Sequence, residues 1–279
     1  MNMQQQSIAF IGGGNMARSL IGGLLQGGYQ PQHIRVCDPD PQQQHRIESQ
    51  FGIAVADKSD RVIKGADCVV LAVKPQVLPA ICSELGKSVQ KSSPLFVSIA
   101  AGVRIASIAR WLGKEYAIIR CMPNTPALIQ AGATALYANA QTNESQRSFA
   151  ESILRAVGVI LWLGDEDLLD AVTALSGSGP AYLFLVVEAL QNAGEKLGLE
   201  PRHSQLLAMQ TVFGASKMAL EANESVAELR ERVTSKGGTT EQALASFYRD
   251  DLPGVFIRAM TAARDRSVEL AQELDKLGD

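Results

Sequence analysis

The chain has 279 residues and a formal net charge of −3, with 46% hydrophobic and 20% charged residues. That balance belongs to folded globular proteins, and a mildly acidic chain with no Lys/Arg run lacks the electrostatic footprint of a nucleic-acid binder. Cys37, Cys68, Cys82 and Cys121 form no C-x-x-C pair, and His33, His45 and His203 are scattered. The expectation is therefore buried free thiols in a reducing cytoplasm and no metal centre.

The polar start, 1–6, is followed by an apolar run that ends at Gly12, too short for the core of a signal peptide. Next come short β-branched runs alternating with helical spacing. "SIAFI" (7–11), "IRVCD" (34–38), "CVVLAV" (68–73), "LFVSI" (95–99) and "AIIRC" (117–121) read as strands. Their near-continuous apolar character predicts a parallel sheet covered on both faces. Helices are expected over about 15–28, 41–51, 77–90 and 104–112. "ATALY" (133–137) and "VILWL" (159–163), with a helix of about 143–157 between them, extend the same rhythm. This βαβ alternation implies an α/β fold built on a doubly wound sheet.

After "LGDEDL" (163–168) strand signals fade and helical spacing takes over, across about 168–198, 202–223 and 253–276. A boundary near residue 165 divides a dinucleotide-binding domain, 1–165, from an all-helical domain, 166–279. The apolar stretch 171–190 is cut by Gly177, Gly179 and Pro180, which argues against a membrane span. Helices as apolar as the one carrying Leu183, Leu185, Val186, Val187, Leu190 and Leu197 bury more surface than a small helical unit can cover. A homodimer is expected.

"GGGNMA" follows the first strand as Gly12-x-Gly14-x-x-Ala17. A tight strand-to-helix turn alone would account for it, but strand, turn, helix and a second strand ending in an acid form the context of a dinucleotide site. Gly12 permits the turn, Gly14 lets a pyrophosphate approach the backbone, and Ala17 allows close helix packing. The helix start contributes N–H donors and the positive end of its dipole. Asp38, ending the second strand, suits free ribose hydroxyls and disfavours a 2′-phosphate, while nearby Arg35 and Arg46 could compensate, so the choice between NADH and NADPH stays open. "AVKPQ" (Ala72, Val73, Lys74, Pro75, Gln76) and "PNTP" (123–126) end later strands, where such sheets place ligands. Asn124 is suited to bond a carboxamide or a backbone group.

Two breaks interrupt the helical half, "SGSGP" (176–180) and "TSKGGTTEQAL" (234–244). In the second, Thr239 at capping-box distance from Gln242 would serve a plain helix corner. One cap needs one hydroxyl, however, and Ser235, Thr239 and Thr240 gather around Gly237 and Gly238. A helix N-terminus beside a flexible Gly-Gly turn suits a small carboxylate.

Taken in order, "FIGGGNMA", "LAVKPQ", "MPNTP", "ALSGSGPAY" and "VTSKGGTTEQAL" span essentially the whole chain and resemble pyrroline-5-carboxylate reductase. The resemblance implies a Rossmann domain followed by a helical dimerisation domain, with dimers often assembled into larger rings. It implies hydride transfer from NADPH or NADH to 1-pyrroline-5-carboxylate, giving L-proline, at a site near the subunit interface. Thr240 would bond the ring nitrogen. Ser235, with the N–H groups of Gly237, Gly238 and Thr239, would hold the carboxylate, and Glu166 would lie near the substrate. Gly12, Gly13, Gly14, Asn15, Met16, Ala17, Ala72, Lys74, Pro75 and Asn124 would line the cofactor crevice. Lys236 stands where relatives commonly carry proline, and Ser59 where many carry an asparagine near the adenosine. Two rivals are a β-hydroxyacid dehydrogenase of the 6-phosphogluconate type and a non-catalytic dinucleotide-binding protein. The former needs a lysine–asparagine pair that the "SGSGP" opening does not contain.

Overall fold

A computed structural model describes residues 6–89 and 92–278; the polar start at 1–5 and the expected helix end at residue 90 lie outside them. The chain divides into two compact units, one formed by 1–178 with 263–279 and the other by 179–262.

The first unit carries an eight-stranded sheet in the order β3-β2-β1-β4-β5-β6-β7-β8. Its first half runs β1 (Ile8–Ile11), α1 (Asn15–Gln26), β2 (Ile34–Cys37), α2 (Pro41–Phe51), β3 (Ala54–Ala56), α3 (Ser59–Ile63) and β4 (Cys68–Leu71). Then come α4 (Leu78–Ser88), β5 (Leu95–Ser98), α5 (Ile105–Leu112), β6 (Ile118–Met122), β7 (Gly132–Ala138), α6 (Glu144–Arg155) and β8 (Gly158–Trp162). Every residue of β1, β4 and β5 is buried, which is why these strands read as unbroken apolar runs. Helices cover both faces. Leu20, Ile21, Ile47, Phe149 and Ile153 of α1, α2 and α6 pack one side. Val62, Leu78, Leu85, Ile108 and Trp111 of α3, α4 and α5 pack the other.

The parallel expectation holds from β3 through β6 but fails next, because β7 runs antiparallel to β6. The link between them holds only a 3-10 turn, Thr125–Ile129. A parallel return needs a crossover of about a dozen residues or more. With α6 as its crossover, β8 then pairs parallel to β7. Short β3 and α3 went unforeseen: three residues and five carry too little periodicity to register.

The expected helix of 168–198 is broken into α7 (Leu168–Val172), a π-helical turn (Thr173–Gly177) and α8 (Gly179–Lys196). The second unit contains α8, α9 (Pro201–Glu221), α10 (Val226–Arg232), α11 (Thr239–Arg249) and the first part of α12 (Leu252–Asp275). In this unit α8 packs on α9, where Ser204 Oγ donates to the Gln191 carbonyl at 2.7 Å. Little else is covered. No residue of α8 is buried, and Phe184, Leu185, Phe213 and Ile257 are each more than 60% exposed. By length and composition Leu168–Lys196 is apolar enough to cross a membrane.

The end of α12 belongs to the first unit. Leu274 enters the sheet core, Ser107 Oγ donates to Asp275 Oδ1, and Arg110 Nη2 donates to the Asp275 carbonyl at 2.6 Å.

Candidate active site

The glycine loop is built by close approach. Gly12 has φ +100°, and a Cβ there would lie 2.5 Å from the Ala72 carbonyl oxygen and 2.9 Å from Val73 Cγ1. Only glycine fits that turn. Its N–H donates to the Cys37 carbonyl at 2.8 Å, while Ala72 N–H donates to the Ile11 carbonyl at 2.8 Å, so the loop is stitched to both neighbouring strands. A Cβ on Gly13 would come within 2.3 Å of Ile47 Cδ1. Gly14, the N-cap of α1, is open: no atom lies within 4 Å of where its Cβ would be, and no side chain caps the helix. The first-turn amides of Asn15, Met16 and Ala17 have no intrahelical acceptor available. Ala17 packs into the core, and Met16 lies partly buried against it. An uncapped helix start over open space fits a dinucleotide pyrophosphate.

Asp38 sits beside this loop, its carboxylate fixed on two sides. Oδ2 accepts from Gly13 N–H at 2.7 Å and Oδ1 from Asp40 N–H at 2.9 Å, while Gln44 Nε2 donates to the Asp38 carbonyl at 2.7 Å. Ser59, buried at the start of α3, donates its hydroxyl to Glu84 Oε1 at 2.5 Å. Burial first, and then the carboxylates of Asp38, Glu84, Asp57 and Asp60, push the Cys37 thiol up to about 11.

At the ends of β4 and β6 lie the other expected cofactor residues. Ala72 and Val73 pack against Gly12, and exposed Lys74 leads into the 3-10 turn Pro75–Val77. The sequence left Asn124 either a carboxamide or a backbone partner; here it takes backbone at both ends. Its Nδ2 donates to the Ser176 carbonyl at 3.1 Å, and Oδ1 accepts from Ala133 N–H at 2.9 Å. Asn124 thus joins the start of β7 to the π-helical turn. At that turn Gly177 leaves room for Met122, whose Cε would lie 2.5 Å from an added Cβ. π-Helical turns recur at functional sites.

Glu166 is a bonded anchor. Its Oε1 accepts from Ile105 N–H at 2.9 Å, capping α5, and from Arg120 Nη1 at 3.1 Å. Arg120 is 3% exposed in its side chain and also lies 3.9 Å from Asp170. Asp170 is itself buried, accepting from Arg104 Nη2 at 2.6 Å and from Ser267 Oγ at 2.7 Å. Burial pulls the Arg120 guanidinium below its ordinary value, and Glu166 and Asp170 oppose that shift. The sequence reading missed Arg104, Arg120 and Asp170. A lone arginine inside the apolar run "AIIRC" was the available signal, since a buried guanidinium must find carboxylates.

In the second unit the "TSKGGTTE" corner differs from the expected cap. Gly238, not Thr239, is the N-cap of α11, and no side chain caps it. The Thr239–Gln242 capping box is absent because Gly237, at φ +74°, swings the chain so that Thr239 already lies within the helix. Gly238 N–H donates to the Ser235 carbonyl at 2.9 Å, and Gly237 N–H to Glu241 Oε2 at 2.7 Å. Ser235 and Thr239 are exposed and Thr240 is half-buried. Thr234 instead closes α10, donating to the Arg230 carbonyl at 2.6 Å. What results is a helix start whose N-cap has no side-chain cap, with the Gly237 amide held by Glu241, two hydroxyls in the first turn and a third one turn earlier.

Residues 166–270 match a family model described as pyrroline-5-carboxylate reductase dimerisation, and residues 7–102 match one described as NADP oxidoreductase coenzyme F420-dependent. A pyrroline-5-carboxylate reductase from Pseudomonas aeruginosa is 49% identical over 272 residues, 98% of this chain and 99% of the relative. Its counterpart from Escherichia coli is 37% identical over 96% of this chain and 99% of its own. The solved structure of a pyrroline-5-carboxylate reductase from Coxiella burnetii superposes with TM-score 0.91 at 46% identity, covering 95% of this chain and 98% of that one. That of a Plasmodium falciparum pyrroline carboxylate reductase with NADP bound gives 0.85 at 26% identity over 97% and 100%. With its uncapped glycine loop and "TSKGGTTE" corner, the chain belongs to the pyrroline-5-carboxylate reductase family.

Proposed function

We infer that the protein reduces 1-pyrroline-5-carboxylate to L-proline with NADPH or NADH, the last step of proline biosynthesis. The observation carrying this reading is identity of 49% along nearly the full length of a pyrroline-5-carboxylate reductase. Two uncapped helix starts, at Gly14 and Gly238, support it: one suits a pyrophosphate and the other a carboxylate.

Little covalent chemistry is asked of the side chains, because a protonated cyclic imine is already electrophilic. They must hold it, orient it and exclude water. The glycine loop would hold a reduced dinucleotide by its pyrophosphate, and that cofactor would supply the hydride. The roles proposed are carboxylate binding by Ser235 and the amides of Gly237, Gly238 and Thr239, with the substrate carboxylate displacing Glu241 Oε2 from the Gly237 amide, and a hydrogen bond between the Thr240 hydroxyl and the ring nitrogen. Gly12–Ala17, Asp38, Ser59, Ala72, Val73, Lys74 and Pro75 line the dinucleotide crevice. Asn124 braces its end. Glu166, anchored by the Ile105 amide and Arg120, lies near the substrate.

We also propose the functional division at 165/166, residence in the cytoplasm, and a homodimer or larger ring that covers the apolar face of α8 and α9. No membrane or nucleic acid takes part; the apolar stretch Leu168–Lys196 serves assembly, and buried Asp170 within it is an ion-pair partner. Loss of reduced-nicotinamide absorbance on adding the imine, and none appearing with hydroxyacids plus oxidised cofactor, is the expected assay result. Indifference to the imine would refute the reading.

A further inference from the structure

We infer that the dinucleotide crevice selects NADH over NADPH, with Asp38 as the principal determinant and Glu84 as a second. This rests on the dinucleotide reading of the glycine loop and deepens it. In this fold the adenosine ribose is met by an acid at the carboxyl end of the second strand, and here the residue directly after β2 is Asp38.

Its carboxylate is held, not merely present. One oxygen is fixed by Gly13 N–H and the other by Asp40 N–H, at 2.7 and 2.9 Å. Swinging it away from an incoming phosphate would break both bonds and leave the Gly13 amide, in a buried residue of the phosphate loop, without a partner. Each oxygen still has a lone pair for a ribose hydroxyl. A 2′-phosphate has no proton to offer that acceptor and carries about two negative charges.

The surroundings add to the repulsion. The charges that act on neighbouring Cys37 are all carboxylates: Asp38, Glu84, Asp57 and Asp60. The Ser59 hydroxyl, which could have donated to a phosphate, donates to Glu84 at 2.5 Å. Two of the nearby arginines are already engaged. Arg35 Nη1 donates to the Lys64 carbonyl at 2.9 Å, and Arg61 pairs with Asp57 at 3.0 Å. Arg46 lies exposed on α2.

Fluorescence titration of the purified full chain with NADH and with NADPH reads this directly, without turnover. NADH should bind at least ~10-fold more tightly, the scale set by one fixed charge against a phosphate. Asp38→Ser should shrink that ratio or reverse it, chiefly by strengthening NADPH. Because Asp38 also braces Gly13, thermal unfolding of that variant is followed alongside. Glu84→Gln, which leaves the loop intact, should by itself narrow the ratio about twofold to fivefold, as expected for a partly screened charge. NADPH binding as tightly as NADH to the unaltered protein, or a ratio that neither substitution moves, overturns the inference while the reductase reading stands. If neither nucleotide binds, the dinucleotide reading falls and takes the selectivity with it. Initial rates with the imine and each nucleotide separate a binding preference from loss of the reductase activity itself.

Discussion

Gly12 shows how strictly one position can be specified. Its φ of +100° lies where a side chain is strained, and a Cβ would press on the Ala72 carbonyl. Gly12→Ala should destabilise the first unit by about 1–3 kcal/mol from backbone strain alone, and calorimetric unfolding of the variant measures it. Thr240 is the complementary case, a residue whose loss should spare the fold. Thr240→Ala is expected to lower turnover by roughly 10–1000-fold, the range for one positioned hydrogen-bonding group, with the melting curve unchanged. Undiminished turnover would remove it from the mechanism. Burial raises the Cys37 thiol to about 11 and the Cys82 thiol to about 12. An unfolded cysteine titrates near ~8.5, so the native protein holds these protons more tightly. The resulting stability is intact below that value and is lost as pH rises through 11 to 12. Denaturant midpoints should therefore fall on the alkaline side, and thiol reagents at neutral pH should label these two cysteines only after unfolding.

At the scale of elements, caps and charge networks decide where helices start. α6 opens with a complete capping box, Asn143 accepting from Gln146 N–H while the Gln146 side chain accepts from Asn143 N–H. Asn143→Ala should cost about 0.5–2 kcal/mol, seen as a lower melting temperature with activity per folded molecule retained. Arg120 carries more. Replacing it with Ala takes the guanidinium from Glu166, while Asp170 keeps Arg104 and Ser267, so the cost should fall toward the lower end of the roughly 3–5 kcal/mol for breaking a buried pair. Denaturant unfolding should separate that variant clearly from Asn143→Ala. These elements were unequally legible. "SIAFI", "CVVLAV" and "LFVSI" announced buried strands because both faces are covered, and no alternation was needed to interpret them. The antiparallel turn into β7 was hidden, since strand direction follows from the length of the link at 123–131 and not from the apolar run it delivers. The π-helical turn was visible only as a cluster of serine and glycine, and Asn124's grip on it depends on a tertiary contact between residues 52 apart.

For the whole molecule, what could be read was the order of motifs; what could not be read was closure. The glycine loop and the "TSKGGTTE" corner stood out because each breaks a regular pattern with more glycine and hydroxyl than a turn requires. Asp170 and Ser267 were silent, since nothing local says that residue 267 will meet residue 170. The second unit has the exposed apolar helices anticipated from its sequence, with only Ser204 and Ala208 buried along α9. Sedimentation at low concentration should accordingly give a dimer or a larger assembly, and Phe184→Lys on the exposed face of α8 should shift it toward monomer. A wild-type protein sedimenting as a stable monomer would refute the assembly.

The first unit is completed by the far end of the chain: Leu274 fills its core and Ser267 answers Asp170, although residues 179–262 form a separate unit in between. During synthesis the N-terminal portion must therefore emerge from the ribosome and wait, its sheet unsealed, until residues 263–278 have been translated. A nascent chain stalled before residue 263 should be readily degraded by protease, and release of the final turns of α12 should confer resistance on segments made long before.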